Sequence, residues 1–253
     1  MPVASNNKRK TEARLAGLKA IRRRFGDGET WPWEWAVMEF VRQWIAVDWN
    51  WSALAQNHQF GERQISVFRK AYSVARGTVS TGNFKRICDD LRALPEWRAL
   101  EVDFTAPTYL VCWEYLAKNL GGERGDTAKK IDAWSAASKY LWFCFPRDVA
   151  LYDANACQTL GAWRGKAIRV TARASAEEYL SAYANMYETK GHDHIINAEK
   201  ALGMQVPYSV RIFDKYLWVM ALSDGQFDDA RDIWMRQKDI FMKSMDTGAL
   251  FST

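Results

Sequence analysis

A lysine and an aspartate stand out between Trp134 and Leu160, because most of the residues around them are apolar. Lys139 lies in an apolar run that predicts a helix, and Asp153 directly precedes a second predicted helix. Pro146 separates the two runs, so we expect the chain to turn there and to run back antiparallel. An amine and a carboxylate in such surroundings could support nucleophilic attack and stabilise a developing cation.

The spacing of these two residues allows them to meet. Lys139 lies about six residues before the end of its predicted helix, which is roughly 9 Å along the axis. The return segment, residues 146–152, is long enough to cover that distance, so Asp153 can lie near Lys139. A carboxylate at a helix start is stabilised by backbone N–H groups and by the helix dipole. The alternatives remain open here: Asp153 as a helix cap, and Lys139 as a surface lysine with a packed stem.

The rest of the chain predicts helices and almost no strands. Apolar residues at helical spacing, with Pro and Gly at the boundaries, predict helices in the later part of 1–25 and over 31–47, 61–76, 83–94, 107–120, 127–143, 154–163, 175–188, 191–202, 207–222 and 228–245. A break is expected at residues 48–52, followed by a short helix to His58. These patterns predict an all-α, multi-helix globular fold. We divide it into a basic N-terminal arm or helix, residues 1–25, and one α-helical domain, residues 26–253.

The composition is that of a globular protein with an excess of positive charge. Hydrophobic residues make up 48% of the chain, and the net charge of +5 favours an anionic partner. No apolar run approaches the roughly 18 residues that span a bilayer. The four cysteines, which form no C-x-x-C pair, are Cys88, Cys112, Cys144 and Cys157. Because no signal peptide is recognisable, we expect free thiols in the cytoplasm.

Aromatic and histidine residues give weaker indications. The N-terminal tryptophans are expected mainly in the core, although their flat rings could also stack on bases; they are Trp31, Trp33, Trp35, Trp44, Trp49 and Trp51. Two histidines, His192 and His194, are two residues apart and would diverge on a helix, and His58 is the third. We therefore expect no metal site and no cofactor.

The central stretch resembles the helix-hairpin-helix DNA glycosylase superfamily. In that superfamily a loop of the form F-P-x-x-D-x-x-V/H leads into a helix that the catalytic aspartate opens. The matching segment here is FPRDVALYDANACQTL, in which Asp153 takes the place of that aspartate. The run SAASKYLWFCFP resembles the preceding helix of the 8-oxoguanine-glycosylase-like branch, and PYSVRIFDKYLWVM resembles a C-terminal helix of its bacterial members. The resemblance covers about 40 of the 253 residues.

The resemblance implies a base-flipping mechanism. Asp153 would stabilise an oxocarbenium-like sugar, and Lys139 could instead attack C1′ and form a Schiff base, which adds strand cleavage. The lysine of the family usually lies 18 to 19 residues before the aspartate. That offset falls on Trp134 or Ser135, whereas Lys139 is 14 residues before Asp153. Lyase activity is therefore left open.

The resemblance also implies a DNA-gripping hairpin and a pocket for the flipped base. The residues of the hairpin would be Gly121, Gly122, Arg124, Gly125, Lys129 and Lys130, which a plain interhelical loop explains equally well. The pocket would be lined by Trp134, Trp142, Tyr152, Arg211, Asp214 and Trp218. The fold implied is glycosylase-like, with two lobes around a central cleft.

The leading functional expectation is a DNA glycosylase that excises a damaged or modified base and leaves an abasic site. It would act as a monomer on double-stranded DNA in the cytoplasm, at the nucleoid, in DNA repair or in antiviral defence against modified phage DNA. Two alternatives from other classes are a non-catalytic helical nucleic-acid-binding protein and a helical interaction protein without a nucleic-acid role.

Overall fold

The computed structural model describes residues 3–56, 59, 61–71, 89, 107–120, 122–124, 129–131, 133–145, 149–206 and 208–245. Several sequence predictions fall elsewhere and lie outside the described residues. These are the predicted helix over 83–94 apart from residue 89, together with His58, Cys88, Gly121 and Gly125.

Helices make up most of the described chain. They are α1 Val3–Gly26, α2 Trp31–Gln43, α3 Trp49–Gln56, α4 Glu62–Ala71, α5 Pro107–Leu120, α6 Trp134–Cys144, α7 Ala154–Arg164, α8 Arg173–Met186, α9 His192–Ala201, α10 Ser209–Met220 and α11 Asp224–Met245. The prediction of a mainly helical fold is confirmed. Among the described residues, no helix is long and apolar enough to cross a membrane.

A short β-hairpin interrupts the helices. Strand β1, Gly122–Arg124, pairs antiparallel with β2, Lys129–Ile131, and Arg124 stands opposite Lys129 in the register. The predicted helix over 127–143 is therefore wrong in its first part, because α6 begins only at Trp134. The ladder satisfies backbone groups of residues 129–131 that a helix would have satisfied within its own turns.

The predicted break at residues 48–52 is also wrong. A π-helical segment, Trp44–Asp48, joins α2 directly to α3. No Pro or Gly occurs between Trp44 and Gln56, so nothing stops the helix. The wider π turn accommodates one extra residue, and it places Trp44 and Asp48 in the interior. Asp48 accepts a hydrogen bond from the Gln43 side chain (3.3 Å). A second π segment, Tyr187–Gly191, joins α8 to α9.

The contacts divide the chain into two compact units, and each unit combines separate stretches of sequence. Unit 1 comprises Met1–Val41, Ala154–Ile168 and Asn185–Thr253. Within it α7 packs against α1 and α10, and α10 also packs against α9 and α11. The Thr159 hydroxyl of α7 donates to the Leu217 carbonyl oxygen of α10 (2.7 Å), which fixes the register of these two helices.

The basic end of α1 is bonded within unit 1. Arg22 donates to the Ala162 carbonyl oxygen at the end of α7 (3.0 Å). The buried Arg24 donates to the carbonyl oxygens of Met220 (2.8 Å) and Leu222 (2.7 Å) after α10. Cations at helix C-termini are favourable because they satisfy carbonyl groups that have no intrahelical partner. Two side chains of the basic N-terminal run, residues 1–25, therefore bond backbone groups within unit 1.

Unit 2 comprises Arg42–Asp153 and Arg169–Ala184. Its helix α6 packs against α5 and α3. The core is strongly aromatic: Trp113 of α5 contacts the rings of Trp134, Tyr152 and Tyr179 at centroid distances of 5.2, 5.7 and 6.0 Å. Trp44 is buried as expected, but Trp49 is 58% exposed, so the prediction of a core role holds for only part of the tryptophan cluster.

Candidate active site

The three residues before Asp153 are held by side chains from three different helices. The hydrogen bonds run from Tyr109 of α5 to the Ala150 carbonyl oxygen (2.9 Å), from Tyr179 of α8 to the Leu151 carbonyl oxygen, and from the Tyr152 N–H to the Ser138 hydroxyl of α6 (3.1 Å). All three of these side chains are completely buried. Asp153 therefore follows a backbone segment whose position is fixed by the core of unit 2.

The Ser138 bond also brings the backbones that carry Lys139 and Asp153 together. Ser138 directly precedes Lys139, and Tyr152 directly precedes Asp153. The Ser138 hydroxyl donates in turn to the Ser135 carbonyl oxygen (3.1 Å). Its proton and one of its two lone pairs therefore both take part in hydrogen bonds. Lys139 and Asp153 are half-buried, and each residue makes further interactions.

Asp153 stands at the start of a helix. It directly precedes Ala154, the first residue of α7, where the first N–H groups have no partner within the helix and the positive end of the helix dipole lies. A carboxylate has about four acceptor sites, so helix capping still leaves lone pairs for a ligand. Half-burial gives a ligand access while it limits screening by water. Such a group can stabilise a cation that develops next to it.

The three predicted pocket residues of unit 2 pack in its core. Trp134 is 3% exposed and lies edge-on to Trp113, and Trp142 is 1% exposed and lies edge-on to Trp44. Tyr152 is half-buried, and its hydroxyl accepts the Val170 N–H (3.1 Å). This burial favours a packing role for the two tryptophans over contact with a ligand. Trp134 is also the first residue of α6, where the family resemblance would place a lysine.

The other three predicted pocket residues lie on α10 in unit 1. Arg211 and Asp214 are buried and face each other, with Nη1 and Oδ2 3.8 Å apart. Trp218 is 40% exposed and stacks on Trp35 of α2 with ring centroids 5.9 Å apart.

A small pocket opens beside this stacked pair. It has a volume of about 110 Å³ and is lined by Trp35, Glu39, Lys215 and Trp218. From the sequence, Trp218 was predicted to line a pocket and Trp35 to lie in the core, whereas no site role was predicted for Glu39 or Lys215. Sequence spacing could have indicated these two residues. Glu39 lies four residues after Trp35, and Trp218 lies three residues after Lys215, so each charged residue shares a helix face with a tryptophan.

The residues predicted to bind DNA are partly described. Gly122 and Arg124 belong to β1, and Lys129 and Lys130 belong to β2, so the three basic residues share one hairpin. The sequence left open a DNA-gripping hairpin and a plain interhelical loop, and Gly122–Arg124 forms a strand that pairs with Lys129–Ile131. Whether this hairpin contacts phosphate stays a prediction.

The described cysteines are packed in the interior, whereas the described histidines, His192 and His194, lie largely at the surface. Cys112, Cys144 and Cys157 are free thiols in the interior, and burial raises the pKa of Cys112 to about 12. His194 stacks on Trp33 with ring centroids 5.1 Å apart, and burial lowers its pKa. Within the described ranges, no group of three or more His, Cys, Asp or Glu residues is placed to hold a metal ion.

A scan against protein-family models, a search of curated proteins and a search of solved structures found no match for this chain.

Proposed function

We propose that this chain is a DNA glycosylase, in which Asp153 carries the cleavage of the N-glycosidic bond. One observation carries the proposal: three buried side chains hold residues 150–152 and so fix the backbone at Asp153, at the start of α7. Electrostatic catalysis depends on charges that are fixed before the reaction begins, because no energy is then spent on reorienting them. This rigid support is stronger than a helix cap alone requires.

The chemistry proposed for Asp153 is charge stabilisation. When the C1′–N bond breaks, the base leaves with the electron pair and the sugar becomes an oxocarbenium-like cation. The carboxylate stabilises this cation, and water attacks C1′ and transfers a proton to the carboxylate or to solvent. If the Lys139 amine attacks C1′ instead, the product is a Schiff base and the strand can be cleaved.

The proposal includes a partner and a setting. Double-stranded DNA would be contacted through phosphates by Arg124, Lys129 and Lys130 of the hairpin. We further expect the helix-hairpin-helix arrangement with two lobes around a cleft, a monomer, and a role in cytoplasmic DNA repair or antiviral defence. The net charge of +5 supports an anionic partner.

The decisive experiment uses DNA duplexes that each carry one damaged or phage-type modified base. Release of a base, or formation of an abasic site, is measured for the native chain and for Asp153→Asn. Asn caps helices about as well as Asp, so this variant keeps the fold and loses only the charge. We expect the excision rate to fall by roughly 10²- to 10³-fold, with duplex affinity retained.

Other outcomes point to other functions. Full activity of Asp153→Asn would contradict the catalytic assignment. Salt-dependent duplex binding without release of any base would favour the non-catalytic nucleic-acid-binding protein. Borohydride trapping addresses Lys139 separately: a covalent adduct that Lys139→Gln abolishes indicates the Schiff-base route, and no adduct indicates attack by water.

A further inference from the structure

We propose that the pocket lined by Trp35, Glu39, Lys215 and Trp218 binds a hexopyranose ring. Two helices of unit 1 contribute equally to it. Helix α2 supplies Trp35 and Glu39, and α10 supplies Lys215 and Trp218. Residues three or four apart lie on one face of a helix, so each helix presents an indole beside a charged group.

The two indoles form a stacked platform at the pocket. Their planes are within 10° of parallel and their centroids are 5.9 Å apart. A flat ring inserted between them would need roughly 7 Å, twice the optimal carbon–carbon contact distance. A ligand in this pocket must therefore pack against the exposed part of Trp218, which is 40% accessible, and beside the buried Trp35. A nucleobase held on both faces does not fit this geometry.

A pyranose ring matches such a platform. One of its faces carries C–H groups, which pack on the electron-rich face of an indole. Its rim carries hydroxyl groups, each of which donates and accepts hydrogen bonds. The Glu39 carboxylate only accepts and the Lys215 ammonium only donates, so together they can satisfy neighbouring hydroxyls.

The size and the charged groups are consistent with this ligand. Pockets for drug-sized molecules have volumes of about 300–1,000 Å³, whereas this one has about 110 Å³ and suits a single ring. Glu39 and Lys215 already interact with other groups. A carboxylate has about four acceptor sites and an ammonium has three donors, so both can bond hydroxyls in addition.

Binding of free methyl hexosides tests the proposed sugar site, and it does so independently of the proposed glycosylase activity. Methyl glucopyranosides and galactopyranosides are titrated against the full chain, with tryptophan fluorescence and saturation-transfer NMR as readouts. Sorbitol is the matched control, because it has the hydroxyls but no ring face. We expect dissociation constants in the millimolar range for at least one hexoside and no saturable binding of sorbitol.

Single variants measure separately how much the Trp218 ring and the Glu39 carboxylate contribute to hexoside binding. Trp218→Ala should weaken hexoside binding by about tenfold or more, because the stacking face is lost. Glu39→Gln keeps the shape but loses the charge, and should weaken binding by about tenfold. Trp49→Ala removes a tryptophan that is 58% exposed outside this pocket, and it should leave hexoside binding unchanged. Asp153→Asn should also bind normally, so loss of catalysis and loss of sugar binding are distinguishable.

Each of three results with these small ligands would overturn the proposal. The dissociation constants of all hexosides could lie well above the millimolar range, sorbitol could bind as tightly as the hexosides, or Trp218→Ala could bind hexosides as the native chain does. Circular dichroism of each variant confirms that it is folded.

The sugar could belong to a free glycan or to a hexosylated base in nucleic acid. An oligosaccharide, an unmodified duplex and a duplex with one hexosylated pyrimidine are therefore compared. Preference for the hexosylated duplex, removed by Trp218→Ala, indicates a sugar carried on DNA, and oligosaccharide binding indicates a free glycan. If the two duplexes bind equally and the oligosaccharide does not bind, the proposal is overturned.

Discussion

At the scale of single residues, neutral hydroxyl groups decide where the acidic group lies. Tyr109, Tyr179 and Ser138 are buried, and each bonds one backbone group of the segment that leads to Asp153. A buried polar group of this kind contributes modestly to the stability of the fold when it is hydrogen-bonded. Loss of its partner lowers the stability by more, because a buried polar group is then left without a hydrogen bond. The position of the candidate catalytic carboxylate therefore depends on side chains without charge.

The first prediction concerns the Tyr179 hydroxyl. Tyr179→Phe removes the hydrogen bond to the Leu151 carbonyl oxygen and should lower the free energy of unfolding by about 1–2 kcal/mol. Urea unfolding followed by circular dichroism measures the change. The control is Tyr115→Phe, because Tyr115 is 42% exposed and should change stability by less than about 0.5 kcal/mol. Equal effects of the two variants would contradict the role given to Tyr179.

The second prediction concerns Glu199, whose pKa is raised, chiefly by burial. A carboxyl with a raised pKa in the folded state favours the protonated form, so stability falls as pH rises through that pKa. Glu199→Gln removes the charge but keeps an acceptor for the Val206 N–H, which now bonds Glu199 at 2.9 Å. The variant should be more stable than the native chain at pH 7, and the difference should vanish below pH 4.5, the ordinary carboxyl value.

Denaturant unfolding at several pH values tests this prediction. A stability difference that is the same at pH 4 and at pH 7 would show that the titration of Glu199 is not its cause.

At the scale of elements, close approach of backbone decides how α7 ends. A Cβ at Gly161 would lie 2.8 Å from the Lys166 carbonyl oxygen, because the chain folds back over α7 after Arg164. Gly165 makes that turn with φ +77°, a conformation that favours glycine. The end of α7 therefore depends on two glycines. Gly161 leaves room for the backbone of Lys166, and Gly165 adopts the positive φ of the turn.

The third prediction compares two helical glycines. Gly161→Ala should destabilise the chain by about 1–3 kcal/mol, since the backbone must move to admit the methyl group. Gly17 lies on α1 with nothing within 4 Å of an added Cβ. Gly17→Ala should raise stability by up to about 1 kcal/mol through helix propensity. Thermal unfolding measures both, and a stable Gly161→Ala variant would contradict the close approach.

At the scale of the whole molecule, charge and organisation are the relevant properties. The chain carries a net charge of +5, and each of its two compact units is built from separated stretches of sequence. Part of the positive charge serves the fold, as Arg22 and Arg24 show. The β-hairpin carries three more basic residues, which the proposed function assigns to phosphate contact.

The fourth prediction is a steep salt dependence of duplex binding. Each phosphate contact adds about 0.9 to the slope of log affinity against log salt concentration. Replacing Lys129 and Lys130 with Ala should lower the magnitude of that slope by about 2. Lys118→Ala is the control, because Lys118 is already paired with Glu114 at 2.7 Å. An unchanged slope in the double variant would exclude phosphate contact by Lys129 and Lys130.

The sequence by itself determined most helices, because their signals are local. The helix over 107–120 was predicted with the bounds that the structure shows, since Pro starts it and glycines follow it. The start of α7 after Asp153 was likewise predicted, whereas the chemistry of Asp153 and Lys139 stays a prediction.

Only the tertiary structure decided which distant residues meet. Pairing across residues 122–131 overrode a helical pattern, and a π turn carried a helix through an expected break. Tyr109 meets Ala150, and Trp35 meets Trp218, across long stretches of sequence. Such hydrogen bonds and ring contacts leave no periodic pattern in the residues that make them, because their energy is gained only when the chain packs.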